Sequence, residues 1–379
     1  MSLVAILGWV LTGLGFAGAA YALLAAWLAA KFVARDESVV DNFPALSILK
    51  PLHGDELALE QNLGSFFQQT YPAPYQLVFG VHAPDDPAIA VVETLCRSYP
   101  AVDAVLVVDK ARHGANPKIA NLINMQTAAR HDVLVLSDSD IAVEPDYLRR
   151  VAGALTPEAV GAVTCVYTGW PAAGLVSRLS AMGVSYHFLP NVIVGLGLKL
   201  TAPCFGSTIA IKGPVLREIG GLAAFAGQLA DDNEIGKAVR GKGYKVAIPP
   251  FAVRHAATET TARAWFSHEL RWMRTIRTVD PAGHAGSIVT HAFPLSLLGL
   301  MMAGLAPVTI AAVATTLLAR LVLKWRIDRA FQGPAGPYWL IPVRDVLSFC
   351  IFLLSLFGGA VVWQNERLRV HGDGALSNR

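Results

Sequence analysis

The run Val133-Leu134-Val135-Leu136-Ser137-Asp138-Ser139-Asp140 ends an apolar stretch in two carboxylates. On an extended segment alternate residues point the same way, so Asp138 and Asp140 can share one hard divalent cation, directly or through its water. Asp-x-Asp alone is a weak signal, because surface loops carry it by chance. Its place at the carboxyl end of an expected strand strengthens it, since open α/β sheets bind ligands there. A cation so held calls for an anionic ligand, and a nucleotide diphosphate fits best. A second acidic run, Asp231-Asp232-Asn233-Glu234, opens a helical pattern that continues toward Arg240. Acidic residues at a helix start cap it and favour its dipole, and a functional reading competes with that structural one.

These residues need a frame, and short apolar runs alternate with helix-like segments from Pro44 onward. That order predicts a mostly parallel sheet covered by helices, with strands at 45–50, 76–81, 104–108 and 132–137. The first helix carries Leu57, Leu63, Phe66 and Phe67 on one face, the next follows Pro87, and the third opens at Pro117 with Ile119, Leu122 and Ile123 inward. Polar or turn residues follow each strand, so Lys50, Asp85, Asp86, Lys118 and Asp138 are expected to converge on one rim. Beyond Pro145 a helix at 146–155, strands near 160–167 and at 207–212, and a glycine-rich segment at 195–206 are expected to shape the acceptor side.

At 379 residues with 54% hydrophobic and 16% charged, the chain is too apolar for an ordinary soluble protein. Residues 3–30 carry no charge and Lys31 follows them, the pattern of a transmembrane helix over 1–31. Their length, and the lack of a preceding basic residue, argue against a cleaved signal peptide. A second apolar block, 288–323, is broken by Pro294 and Pro307, and a third, near 339–363, holds Arg344 and Asp345 close to its start. The region 287–364 is thus expected to supply two or three further spans. Residues 32–286 read as one water-exposed domain, and 365–379 as a polar tail. Arg263, Arg271, Arg274 and Arg277 precede the second block and Arg320, Lys324, Arg326 and Arg329 follow it, placing the domain on the cytoplasmic side of a membrane. A net charge of +3, with no aromatic-basic pattern, gives no sign of nucleic-acid binding. Cys96, Cys165, Cys204 and Cys350 have no paired spacing, which fits a reducing compartment and excludes a disulfide framework or zinc site. The stretch near 262–278 mixes aromatic, aliphatic and arginine residues, as a helix lying at a membrane surface does, with Trp265 and Trp272 as interfacial anchors.

The chain resembles the inverting GT-A glycosyltransferases of the ceramide glucosyltransferase type. The likeness is carried by Ser47-Ile48-Leu49-Lys50-Pro51-Leu52-His53-Gly54, Pro84-Asp85-Asp86-Pro87-Ala88-Ile89, Asn116-Pro117-Lys118, Ser137-Asp138-Ser139-Asp140, Phe205-Gly206-Ser207, Ala230-Asp231-Asp232 and Arg271-Trp272. Within this type, Arg274-Thr275-Ile276-Arg277, Asp280-Pro281-Ala282-Gly283 and Thr290-His291 look closest to the bacterial hopanoid-biosynthesis branch, which attaches N-acetylglucosamine to bacteriohopanetetrol. The resemblance implies a GT-A domain, a UDP-sugar donor, Mg2+ or Mn2+, and a membrane-lipid acceptor at a bacterial inner membrane, with transfer of N-acetylglucosamine to bacteriohopanetetrol as the first reading and of glucose to ceramide as the alternative. It gives Asp86, or Asp85, to the nucleoside, Asp138 to the diphosphate metal with Asp140 beside it, Asp232 to the catalytic base, and Arg271 and Trp272 to catalysis. Lys50, Lys118 and Asp231 join the substrate-binding set. His268 departs from the family pattern, where glutamine or arginine leads the Arg-Trp motif, and can still donate to a phosphate or acceptor.

That chemistry suits the residues. Breaking the anomeric bond leaves negative charge on a diphosphate, which a cation and the fixed fork of Arg271 would offset. A carboxylate is needed to take the acceptor's proton. Attack opposite the leaving group gives inversion, against a competing double displacement with retention. Two rival classes are a processive polysaccharide synthase and a membrane transport or scaffold protein with a degenerate nucleotide-binding domain. His187, between Tyr186 and Phe188, lines the acceptor entrance or simply packs; His53, His82, His113, His255 and His284 show no metal-ligand spacing and receive no role.

Overall fold

The computed structural model describes residues 2–37, 42–54, 56–333 and 335–357, and the backbone of Ala360–Trp363, Glu366–Val370 and Leu376–Asn378. The chain divides into two compact units: Asp36–Tyr167, Ala202–Thr258 and Val362–Arg379 form an α/β unit, and Met1–Arg35, Thr168–Thr201 and Glu259–Val361 a helical one. The expected single domain over 32–286 is therefore interrupted, since 32–35, 168–201 and 259–286 belong with the helical unit.

The α/β unit is built on strands β1 (Leu46–Pro51), β2 (Tyr75–Val81), β3 (Asp103–Val108), β4 (Val133–Leu136), β5 (Ile141–Ala142), β6 (Val160–Thr164), β7 (Val166–Pro171), β8 (Ile209–Lys212), β9 (Lys245–Ala247) and β10 (Ala252–Ala257). Seven of these form a sheet in the order β3-β2-β1-β4-β8-β6-β9. β1 pairs in parallel with both β2 and β4, whereas β8 runs antiparallel to β4 and β6. The first four strands fall within one residue of the expected bounds, because a strand buried on both faces reads as an unbroken apolar run. Alternate side chains feed two cores. Ile48, Leu77, Phe79 and Val135 face Leu63, Phe66 and Tyr147 on one side, and Leu49, Val78, Leu134 and Leu136 face Ile119, Leu122 and Met125 on the other. Each such side chain contributes about 1.5–3 kcal/mol on burial.

Three expectations shift. The first helix spans Leu59–Phe67, and Leu57 lies outside it and is 45% exposed, because Ala58 adopts a left-handed φ of 66° that separates the two. The strand expected near 160–167 is two, β6 and β7, broken at Cys165. β10 pairs antiparallel with the two-residue β5, setting His255 opposite Ile141.

Among the described residues, the helical unit holds four helices long and apolar enough to cross a membrane, Leu3–Val33, Gly174–Gly197, Pro307–Phe331 and Tyr338–Ser355. A bent pair, Pro281–Thr290 and Ala292–Ala303, breaks by 63° and makes up to five. Gly174–Gly197 escaped the sequence reading because Ser177, Arg178, Ser185, His187 and Asn191 dilute its apolar signal. The third apolar block stops at Ser355 as a helix, and Ala360–Trp363 is a strand. In the stretch expected to be a polar tail, Glu366–Val370 pairs antiparallel with Leu376–Asn378. Arg320 and Lys324, expected as flanking charges, are 4% and 1% exposed inside the bundle, paired with Asp345 at 2.7 Å and Asp328 at 2.6 Å. Ion pairing lets such groups lie within apolar segments, so they are not evidence of sidedness.

Gly8, Gly15 and Gly18 let the N-terminal helix approach Ala292–Ala303 closely. A Cβ on Gly18 would stand 2.3 Å from the Val289 carbonyl oxygen, and one on Gly8 2.5 Å from the Ala303 nitrogen. Gly18→Leu is expected to lower the thermal unfolding midpoint in detergent by several degrees. Gly13→Leu, where a Cβ meets nothing within 4 Å, should leave that midpoint in place.

Candidate active site

The parallel strands β1, β2 and β4 end at one rim, and β8, running the other way, begins there. The loop after β4 carries Asp138 and Asp140. Beneath it lies Lys50, whose ammonium donates to the Asp138 carbonyl at 2.5 Å and the Ile141 carbonyl at 3.4 Å and stands 3.9 Å over the Phe66 ring. Lys50 is fully buried, and burial pulls its ammonium down to about 7 against the opposing Asp140, Asp138 and Glu56. The expected substrate contact is thus corrected: Lys50 is a post that holds the carboxylate turn from inside.

Above the turn the side chains gather around Lys118. Its ammonium lies 2.6 Å from Asp138 Oδ1 and 3.7 Å from Asp231 Oδ2. Burial works to lower Lys118, but Asp138, Asp231 and Asp232 outweigh it and hold the ammonium above its ordinary range. Asn116 caps the helix Pro117–Gln126 through Ile119 N–H and, through its amide at 3.1 Å, donates to Asp231. Gly206 permits this closeness, since a Cβ there would stand 2.6 Å from Lys118 Nζ and 2.8 Å from Asp138 Oδ2.

Asp232 opens the helix Asp231–Gly241 and accepts from Gly206 N–H at 3.0 Å and Asn233 N–H at 2.7 Å. Burial, with Asp231 beside it, pushes Asp232 up to about 6 against Lys118 and those two N–H groups. Asp138 is also raised, chiefly by burial, despite Lys118. Asp140 moves the other way. Burial would raise it, but His255, with Nε2 3.1 Å from Oδ2, and then Lys50 and Lys118 bring it below its ordinary value. The other oxygen, Asp140 Oδ1, is buried and has no hydrogen-bond partner.

That orphaned oxygen, beside the Asp138 carboxylate, fits a hard cation that takes its remaining ligands from phosphate oxygens. Among the described residues no three His, Cys, Asp or Glu side chains form a ready cage. A small protein ligand set suits an ion such as Mg2+ or Mn2+ that is shared with a diphosphate.

Sequence reasoning missed His255 and Glu56. Glu56 accepts from Ser139 Oγ at 2.7 Å, and burial, then Asp140, pushes it up to about 7. No local spacing marks His255, since only the β5–β10 pairing brings it to Asp140. Asp86 is buried and both its oxygens accept backbone N–H groups, Gly54 at 3.0 and 3.1 Å and Ala88 at 3.0 Å. It shapes the loops after β1 and β2, and among the described residues no hydrogen bond or ion pair joins it to the Lys118 cluster; Asp85 next to it is exposed.

His268, Arg271 and Trp272 belong to the helical unit, on Ala262–Val279, a helix at the expected place. His268 pairs with Glu259, which it holds at about 2 although burial works to raise that carboxylate. The Trp272 ring lies 4.7 Å from His268 and 6.4 Å from Phe188. Among the described residues no hydrogen bond or ion pair engages the Arg271 guanidinium. Trp265, expected as an interfacial anchor, is instead buried against Glu269 and Arg344.

The chain is similar to "Ceramide glucosyltransferase 1" of Caenorhabditis elegans, 27% identical over 88% of this chain and 73% of that one. It is also similar to "Ceramide glucosyltransferase 3" of the same organism, 28% identical over 62% of this chain and 50% of that protein. Among solved structures, the mannosyltransferase PcManGT from Pyrobaculum calidifontis, in complex with GDP-Man and Mn2+, matches with a TM-score of 0.53 at 20% identity, covering 94% of this chain and 99% of that one. The fold is GT-A, as the resemblance implied. The family model for glycosyl transferase family 21 matches residues 10–376, and the chain belongs to that family.

Proposed function

We propose that this chain transfers a hexosyl group from a UDP-sugar to a hydroxyl of a membrane lipid, with inversion. The observation that carries the reading is the convergence of Asp138, Asp231 and Asp232 on Lys118, next to the unpartnered oxygen of Asp140. Asp138 and Asp140 would hold the cation, which supplies charge neutralisation to the departing diphosphate. Asp232 takes the acceptor proton as the hydroxyl oxygen bonds to the anomeric carbon and the bond from that carbon to the diphosphate oxygen breaks. With a value near 6, Asp232 is mostly ionised at neutral pH yet still basic enough to accept a proton. Lys118 screens the carboxylates from one another so that Asp232 can stay charged beside Asp231. Family resemblance assigns Arg271 and Trp272 to the same reaction.

Ceramide is the favoured acceptor, supported by the names of the relatives. The hopanoid reading rested partly on Arg274, Arg277 and His291. Arg274 and Arg277 donate to the Phe357 and Ser355 carbonyls, and His291 is 3% exposed among Phe349 and Phe352. A cytoplasmic catalytic unit is supported by the remaining flanking arginines, Arg263, Arg271, Arg274, Arg277, Arg326 and Arg329.

Purified protein incubated with UDP-glucose or UDP-N-acetylglucosamine against ceramide or bacteriohopanetetrol should yield one β-linked product, with hexosylceramide expected, identified by mass and anomeric NMR. An α-linked product overturns inversion, and a ladder of products indicates a processive synthase. Asp138→Asn should reduce turnover on the order of a hundredfold or more, and Asp140→Asn should raise the half-saturating Mn2+ concentration; unaltered metal response in both removes the metal assignment.

Asp232→Asn should keep UDP-sugar binding, measured by calorimetry, while turnover falls about a hundred- to ten-thousandfold. Because the base must be unprotonated, wild-type kcat should rise with pH through about 6 and level off above it. Retained turnover in the variant, or a flat profile across that range, removes Asp232 as the base.

A further inference from the structure

Glu269 lies inside the His268-Glu269-Leu270-Arg271-Trp272 motif, yet no role in the reaction falls on it. Its Oε1 accepts from Arg344 Nη2 at 2.6 Å and from Trp265 Nε1 at 2.5 Å. Arg344 stands on the candidate span Tyr338–Ser355 and is 3% exposed. Its Nη1 donates to Ser348 Oγ at 2.7 Å, and its guanidinium lies 5.5 Å from the Trp265 ring centre. A third segment closes the junction. A Cβ on Gly183, within Gly174–Gly197, would stand 2.0 Å from Arg344 Nη2 and 3.1 Å from Glu269 Oε1, so the pair exists only because residue 183 has no side chain.

A buried ion pair is a poor source of net stability, since desolvation offsets most of its attraction. It is, however, a strict geometric constraint, because either partner turned away leaves a buried charge alone. Along a helix each residue turns by about 100°, so Arg271, two residues on, points to roughly the opposite side from Glu269. Among the described residues the Arg271 guanidinium makes no hydrogen bond or ion pair, and only the charge of Glu259 acts on it, so its direction follows chiefly from the rotation of the helix that carries it.

We propose that the Glu269–Arg344 pair is a positioning device for the reaction: it fixes the rotation of Ala262–Val279 about its axis and thereby aims Arg271 and seats Trp272. The inference rests on the reading of Arg271 as a group that serves the transfer. Glu269 is then a positioning residue whose loss costs rate through Arg271, and a misplacement of about 1 Å is enough to cost on the order of a hundredfold.

The test uses the full chain in detergent with UDP-glucose and ceramide. Glu269→Gln keeps the shape and removes the charge that pairs with Arg344, Gly183→Val displaces the guanidinium without removing a charge, and Arg271→Lys reports the group acted through. In folded Glu269→Gln and Gly183→Val, kcat should fall about tenfold or more with the ceramide KM little changed, and the thermal midpoint should fall as well, because Arg344 is left buried and mispaired. Glu269→Gln combined with Arg271→Lys should be no slower than Arg271→Lys alone, the non-additivity of two residues acting as a unit. Wild-type kcat in folded Glu269→Gln, or multiplicative losses in the double variant, overturns the proposal. A readout free of turnover separates the clamp from the role of Arg271: with Cys350 replaced by serine, Arg271→Cys should change its reaction rate with a charged thiol reagent when Glu269→Gln is added. An unchanged rate shows no rotation and sinks the clamp, whereas a changed rate with wild-type turnover in Arg271→Lys sinks the reading of Arg271 and leaves the clamp standing.

Discussion

Crowded carboxylates at one sheet rim are the constraint around which the α/β unit is arranged. Glu56, Asp138, Asp140, Asp231 and Asp232 approach one another at this rim, and burial pushes Glu56, Asp138 and Asp232 toward taking a proton. Two ammonium groups restrain that tendency from opposite sides. Lys50 works from within the core on the backbone of the turn, and Lys118 works from above on the side chains. The result is a graded set: Asp140 is held low by His255, Asp232 is left near neutrality, and Glu56 sits about 7. Such separation of similar groups is how one site assigns a metal ligand and a base from the same side-chain type.

The backbone serves this arrangement in ways that composition does not display. Gly206 is required because Lys118 and Asp138 occupy the space a side chain would fill, and Asn116 must be able both to cap a helix and to donate to Asp231. Asp86 does similar work at the edge, since its two oxygens close the loop after β1 onto the loop after β2. An acidic residue with its oxygens committed to backbone N–H groups shapes a site and leaves recognition to the neighbouring main chain.

How much of this was legible before folding depends on range. Strands β1 to β4 were, because burial on both faces writes itself as a contiguous apolar run; so was the acidic turn that ends β4. Lys50 was misread because a lysine closing such a run looks like a rim residue, and only the turn folding back over it reveals that it is inside. His255 was invisible because it reaches Asp140 through the pairing of a two-residue strand, far away in sequence. In the helical unit the misplaced charges share one cause: Arg320 and His187 pair with Asp345, and Lys324 with Asp328, within the bundle, so charges that ordinarily mark the end of a span lie inside one.

This self-satisfaction explains how a polar motif can be carried next to apolar helices at all. Ala262–Val279 presents few buried residues, so area alone would hold it weakly, and its face is instead tied by Trp265 and Glu269 to Arg344 and by His268 to Glu259. Directional contacts of this kind set rotation more sharply than apolar area does, because a hydrogen bond is lost within tens of degrees whereas burial changes gradually. A helix whose task is to aim one guanidinium is better held by few directional contacts than by a broad greasy face, and the sequence of this segment, with Glu269 between His268 and Arg271, is built in that manner.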